Sequence, residues 1–130
     1  MTETYFHTCG RCLHCVSGRP NLCPERRSLG THVDGGFARY VLVPAQRLHR
    51  VPDELDSRSA ALAEPLACCI HALYDLATIR PGDLVVVSGP GPIGLLCTRM
   101  AALSGANPLI VAGLTGDEAR LEAAVRLGAT

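Results

Sequence analysis

The apolar positions of this chain follow two different patterns, which meet near residue 55. Before that point they are scattered among Cys, Gly, Pro and Arg. The pattern there predicts a long loop over 7–36, then a strand in "FARYVLVPA", opened by the Gly35-Gly36 turn and closed by Pro44. A second short extended piece, "RLHRVP", ends at Pro52. After residue 55 helical and strand periods alternate. "SRSAALAEPLACCIHALYDLATI" places Leu62, Leu66, Cys69, Ile70, Leu73 and Leu76 at helical spacing, interrupted by Pro65. "LVVVSG" and "PLIVAGL" are wholly apolar strands, and the helices "PIGLLCTRMAALSG" and "DEARLEAAVRLG" follow them, the last ended by Gly128. Strands apolar on both faces, alternating with helices of this kind, predict a parallel sheet covered by helices, of which two strands are the beginning. The class is α/β, and the two regimes predict two regions, residues 1–56 and 57–130.

Composition narrows the setting. Twelve basic and twelve acidic side chains cancel, so no overall field draws the chain to nucleic acid or an anionic membrane. The apolar share is 48%, and no uninterrupted apolar run approaches the ~20 residues that span a bilayer. Aromatic residues make up 4% with no Trp, so Ala, Leu, Val and Ile must build the core. "MTETYFHTCG" lacks the basic start and apolar stretch of a secretory signal. Seven cysteines, four of them clustered, point to metal binding in a reducing compartment over a disulfide framework. These features predict a soluble, cytoplasmic protein with no nucleic-acid or membrane partner.

The cluster reads Cys9-x2-Cys12-x2-Cys15-x7-Cys23. Two-residue gaps let a tight loop turn successive sulfurs inward, and the longer gap returns the fourth. Zinc takes four thiolates in this way, and a site with four protein ligands and no open position is structural. The rival is an iron–sulfur cluster, since bacterial ferredoxins share the two-residue gaps and the Cys-Pro ending seen at Cys23-Pro24. The seven-residue final gap and the lack of a second cysteine set favour zinc. Arg11, Arg19, Arg26 and Arg27 stand near enough in sequence to offset the surplus negative charge. His7 and His14 are expected on the surface or in packing, and Cys68, Cys69 and Cys97 in the core.

The second motif is "VVVSGPGPIGLL", Gly89-x-Gly91-x-x-Gly94 directly after an apolar strand and opening a helix. In that context it predicts a dinucleotide site formed by Gly89, Gly91, Pro92, Ile93 and Gly94. Gly89 permits the tight turn, Gly91 lets a pyrophosphate approach, and Gly94 lets helix and strand pack closely. Pro92 suits the first helical turn, whose N–H groups attract phosphate. The acid that usually follows about twenty residues on is not well matched: the strand ends at Gly113 and Asp117 arrives late. NAD held otherwise, or NADP with Arg120 near its 2′-phosphate, both remain open.

With these motifs in hand, the chain resembles the zinc-containing medium-chain alcohol dehydrogenases, most closely the sorbitol (iditol) and L-threonine dehydrogenase branch. "CGRCLHCVSGRPNLC", "GTHVDGGFARYVLVPA", "AALAEPLACCIHA" and "VVVSGPGPIGLL" match in family order and together cover nearly the whole chain. The resemblance implies part of a GroES-like β domain with a zinc lobe, followed by the first half of a Rossmann doubly wound sheet. It also implies hydride transfer between a small-molecule secondary alcohol or polyol and NAD(P), in a complete enzyme that is a homo-oligomer. Cys9, Cys12, Cys15 and Cys23 match the structural zinc lobe. Glu64, in "AEPLA", matches the acidic position at the catalytic zinc; Pro65 should hold it out of helical conformation at a break between helices. On its own it would read as a solvated carboxylate at a helix start. His71 in the same stretch is expected to be packed.

The family's remaining catalytic ligands, a cysteine in a CG-x-D-x-H-like motif and a histidine in a GHE motif, have no counterpart in these 130 residues. The chain therefore reads as an internal fragment, inactive by itself. The alternative function is a non-catalytic zinc module used for protein contacts. The glycine turn and "AEPLA" speak against it, because such a module needs neither. A zinc-ribbon-like nucleic-acid binder is disfavoured by the zero net charge.

Overall fold

The computed structural model describes Met1 and residues 5–130, in two compact units, Met1–Ala60 and Ala61–Thr130.

The first unit is loop-rich. Strand β1 (Tyr5–His7) pairs antiparallel with β2 (Arg27–Ser28), with Tyr5 opposite Ser28 and His7 opposite Arg27. Between them lie one helical turn, α1 (Leu13–Val16), and a 3-10 turn at Pro20–Leu22. Gly10 and Gly18 adopt left-handed backbone (φ 70° and 77°) on either side of α1, which turns the loop back on itself. A 3-10 turn at Ala45–Arg47 and a short helix, α2 (Ser57–Ala60), complete the unit. His49 exchanges two backbone hydrogen bonds with Met1, at 2.8 and 2.9 Å, so the second extended piece does find a partner. The strand expected over 37–45 is absent: the segment before Pro44 has no regular structure, and Phe37, Tyr40 and Leu42 are fully or largely exposed. A strand exists only as one side of a ladder; the pattern for one is here, but no partner for it lies among the described residues.

The second unit has the alternation that the periodicity predicts. Helix α3 (Ala63–Ile70) runs into a π-helical stretch at His71–Ala77, closed by Thr78 in left-handed conformation (φ 57°). Strand β3 (Val85–Ser88), helix α4 (Pro92–Leu103), strand β4 (Leu109–Ala112) and helix α5 (Glu118–Leu127) follow. β3 and β4 pair in parallel, from Val85 opposite Leu109 to Ser88 opposite Ala112, as a strand–helix–strand unit requires. Gly128 ends α5 at φ 117°. The core holds Ala101, Ala106 and Leu109, with Ile79, Val85, Val87 and Ala102 packed around them. Thr98, fully buried, donates its hydroxyl to the Gly94 carbonyl at 2.8 Å, so no polar atom is stranded there.

Among the described residues the helices lie on one face of the β3–β4 pair, where Leu109 is buried, while Val86 and Ile110 on the other face are exposed. One expectation needs correction here. Pro65 does not push Glu64 out of the helix. It stands third in α3, where the N–H it lacks would have had no partner, so Glu64 lies within the first turn and the break falls at residues 61–62. The stretch Ser57–Ala77 has the length and mean hydropathy (1.2) to cross a membrane on those two criteria alone; that break divides it.

Candidate metal centre and cofactor turn

Cys9 and Cys12 flank Gly10, Cys12 precedes α1, Cys15 lies inside it, and the Pro20–Leu22 turn returns Cys23. All four Sγ atoms lie within 4.8 Å of one another, and Cys9 and Cys15 are 3.9 Å apart. Zinc at about 2.3 Å from four sulfurs requires sulfurs about 3.8 Å apart, so the donor set fits a single zinc ion. Sulfurs this close leave no room for a multi-iron cluster between them, which removes the ferredoxin alternative.

The electrostatics agree. Backbone N–H groups of Arg11 and Cys12 pull the Cys9 thiol down to about 6, whereas burial, with Cys12 next in effect, pushes Cys15 up to about 12. Cys12 N–H donates to the Cys9 sulfur and Cys9 N–H to the Cys23 sulfur, each at 3.4 Å. One thiolate forms readily, and four together call for a dication. Arg11, whose charged form is favoured first by Glu25 and then by Cys9, forms an ion pair with Glu25 at 3.3 Å. Neither His7 nor His14 joins the cluster; His7 is exposed and His14 half-buried.

In the second unit, the turn after β3 has the geometry the glycines predict. Gly89 is left-handed at φ 95° and donates its N–H to Ala112 O at 2.8 Å. Gly91 precedes α4 in extended conformation, and a Cβ there would meet open space. A Cβ on Gly94 would collide with the Gly89 carbonyl. Pro92 is first in the helix, and the first helical donor is Leu95, bonded to Gly91 O at 2.8 Å. The amides of Ile93 and Gly94 thus precede the helical ladder and point from a helix N-terminus. Past β4, Asp117 accepts from Leu114 N–H at 3.0 Å and from Arg120 at 2.9 Å. The Leu114 N–H, more than Arg120, holds its carboxyl below the usual range. Arg120 is therefore engaged with Asp117 at the start of α5.

Glu64 is exposed, and the thiol of Cys68 one turn on lies 3.9 Å from its Oε1. Cys68 is thus exposed, contrary to the core position expected for it, while Cys69 is buried and Cys97 partly so. His71 is not packed either: it is exposed, and its Nδ1 meets Asp75 Oδ2 at 2.7 Å. Sequence reasoning missed that pair, although the i,i+4 spacing of His and Asp was the signal for it.

A four-thiol centre thus stands in one unit and a strand–glycine turn–helix in the other. Residues 2–53 match the family model of the alcohol dehydrogenase GroES-like domain. The chain is 47% identical over 127 residues to a sorbitol dehydrogenase of Halalkalibacterium halodurans, covering 98% of this chain and 36% of that protein. It is 43% identical to a D-arabitol-phosphate dehydrogenase of Enterococcus avium, with the same coverages. A solved structure from Sinorhizobium meliloti, described as a zinc-binding dehydrogenase bound to NADP, superposes with a TM-score of 0.90 at 42% identity. It covers all of this chain and 37% of that one. The resemblance to the zinc-containing medium-chain alcohol dehydrogenases, sorbitol dehydrogenase-like branch, therefore extends along nearly the whole chain, as does the GroES-like and Rossmann architecture. The chain spans about a third of the length of the curated relatives it matches.

Proposed function

We propose that these residues serve a zinc-dependent NAD(P) oxidoreductase acting on a secondary alcohol or polyol in the cytoplasm. The carrying observation is that the four-thiol cluster and the close Gly89–Gly94 turn occur in one chain. A zinc module used only for protein contacts would not need the second. Residues 1–56 form part of the GroES-like region, and residues 57–130 begin the nucleotide-binding region.

Each residue then has a task. Cys9, Cys12, Cys15 and Cys23 hold a zinc that ties the 7–36 loop together and, having four protein ligands, takes no substrate. Gly89 and Gly91 leave the space for a pyrophosphate, and the Ile93 and Gly94 amides bind it at the α4 N-terminus. The bound nicotinamide supplies the hydride acceptor. Arg120 can reach a ribose or its 2′-phosphate on leaving Asp117. Glu64, projecting from the first turn of α3, serves the catalytic metal, and the complete enzyme is a homo-oligomer.

The test uses this chain and one extended to the length of its relatives, both zinc-loaded, with sorbitol, L-threonine and 2,3-butanediol. NAD(P)H absorbance should rise only with the extended chain. These 130 residues offer Glu64 but no second ligand motif for a catalytic zinc, which needs three protein ligands. Turnover by neither chain on any polyol, with both zinc and cofactor bound, would refute the proposal.

A further inference from the structure

Helices α3 and α4 meet at a pair of thiols that neither site uses. Cys69 on α3 is 1% exposed, and its Sγ lies 3.6 Å from the carbonyl oxygen of Ile93 in the first turn of α4. Cys97 is the next residue up that face of α4, since the helical donor to the Ile93 carbonyl is the amide four positions on. The Cys69 thiol interacts with the Cys97 thiol as well as with that carbonyl. Both stand in the same compact unit.

Their surroundings differ in the way a two-step oxidation needs. Cys97 is partly exposed, whereas Cys69 is buried. Burial, and then the neighbouring Cys97 thiol, push Cys69 up to about 11, which makes it a poor first target for an oxidant. Cys68 is exposed and engaged with Glu64 at 3.9 Å, so it is not a member of the pair.

We propose that Cys69 and Cys97 form a reversible disulfide in response to a hydroperoxide, cross-linking α3 to α4. The Cys97 thiolate takes one oxygen from hydrogen peroxide, giving a sulfenic acid and hydroxide, which recovers the thiol proton as water. The Cys69 sulfur then displaces the sulfenic oxygen, and the Cys69 proton leaves with it as a second water. Two thiols and one peroxide thus become one disulfide and two waters, and thiol exchange with a reductant such as dithiothreitol reverses the bond.

Bonded sulfurs stand closer than touching ones, so the bond draws the two helices together. Helix α4 is also packed against β3, β4 and α5, whereas α3 packs chiefly on α4 and on its own continuation at 71–77. The less anchored helix, α3, takes up the shift, and Glu64, five residues before Cys69, moves with it. The cross-link stands on this packing alone; that it alters turnover rests on the role proposed for Glu64. The plain competitor is that both cysteines are small apolar fillers of a helix interface.

The experiment treats the zinc-loaded 130-residue chain with hydrogen peroxide at a dose that oxidises free cysteine in a parallel tube, followed by alkylation, trypsin and mass spectrometry. Residues 59–99 emerge as one peptide, since Arg80 precedes proline, and it holds Cys68, Cys69 and Cys97 but none of the zinc thiols. That peptide should lose about 2 Da and accept one alkyl group in place of three, and dithiothreitol should restore all three. Cys68→Ser should keep the loss, while Cys97→Ser and, separately, Cys97→Ala should abolish it. No loss of mass in the wild type, gain of oxygen without a cross-link, or a link between two copies would overturn the proposal. So would a loss that persists in both Cys97 variants or vanishes in Cys68→Ser. In the oxidised wild type, NMR amide shifts over 63–70 should exceed those over 92–103 about twofold or more; equal or reversed shifts would overturn the movement assigned to α3. NADPH added to the reduced chain tests the dehydrogenase reading separately, through the Gly89, Gly91 and Gly94 amide signals.

Discussion

The carbonyl of Gly89 occupies the position that a side chain at residue 94 would need. Gly94→Ala should therefore force α4 away from β3, since the obstacle is backbone and cannot rotate aside. We expect a loss of about 1–3 kcal/mol, the usual range for overpacking, by urea unfolding. Gly91→Ala, whose new methyl group meets open space, should cost far less and act on cofactor affinity alone.

Cys23 is the buried member of the four thiols and the one returned from furthest along the chain. Cys23→Ser should abolish stoichiometric zinc in elemental analysis and raise amide exchange across residues 7–36, because metal binding and ordering of such loops are coupled. Residues 85–127 should keep their protection. One zinc per chain is the expected wild-type value; iron with visible charge-transfer absorption would refute the zinc assignment, and more than one iron per chain would contradict the site's geometry.

Asp117 makes a pH-dependent contribution whose sign follows from its environment. Its carboxyl is held low by the Leu114 N–H and then by Arg120. The stabilisation is therefore full above the ordinary carboxylate value of about 3.9 and is lost as pH falls through the lowered folded value. Asp117→Asn should lower the melting temperature by a few degrees at pH 7. The gap should close below about pH 4, as measured by melting curves of both proteins from pH 7 to 2.

Glu64 is exposed, and among the described residues its one side-chain contact is the weak one from the Cys68 thiol. In a chain of full relative length, Glu64→Ala should reduce kcat by about tenfold or more, the scale expected when a residue serving a metal is removed. It should leave the melting temperature within about 2 °C, since surface changes of this kind are small. Unchanged turnover would return Glu64 to the role of an ordinary helix-start acid.

The features that were legible are those whose causes lie close together along the chain. Cysteine spacing alone indicated that four sulfurs would meet, and alternating apolar blocks indicated β3, α4, β4 and α5. Gly94 was readable because its constraint comes from Gly89, five residues away. What was not legible depends on partners remote in sequence or on helix phase. The segment 37–45 has the residues of a strand but no ladder. Glu64 is helical because a proline in the first turn costs nothing, a matter of where the helix begins. Cys68 and Cys69 read alike, yet one residue of rotation separates an exposed thiol from a buried one. A recess lined by His7, Arg26, Arg27 and His32 depends on the pairing of β2 with β1, which joins residues about twenty positions apart.

The unladdered stretch holding Phe37, Tyr40 and Leu42 bears on how the protein behaves in a tube. Among the described residues, the amides and carbonyls of 37–43 make no backbone hydrogen bond, and the side chains offer an apolar surface to accompany pairing with an extended peptide. Concentration thereby becomes a structural variable: in dilute solution the stretch is solvated, and as molecules crowd together the nearest supply of complementary backbone is another copy of itself. Light scattering that climbs with protein concentration, and falls when Tyr40 is replaced by Lys, would reveal a stickiness that is local and not a property of the fold.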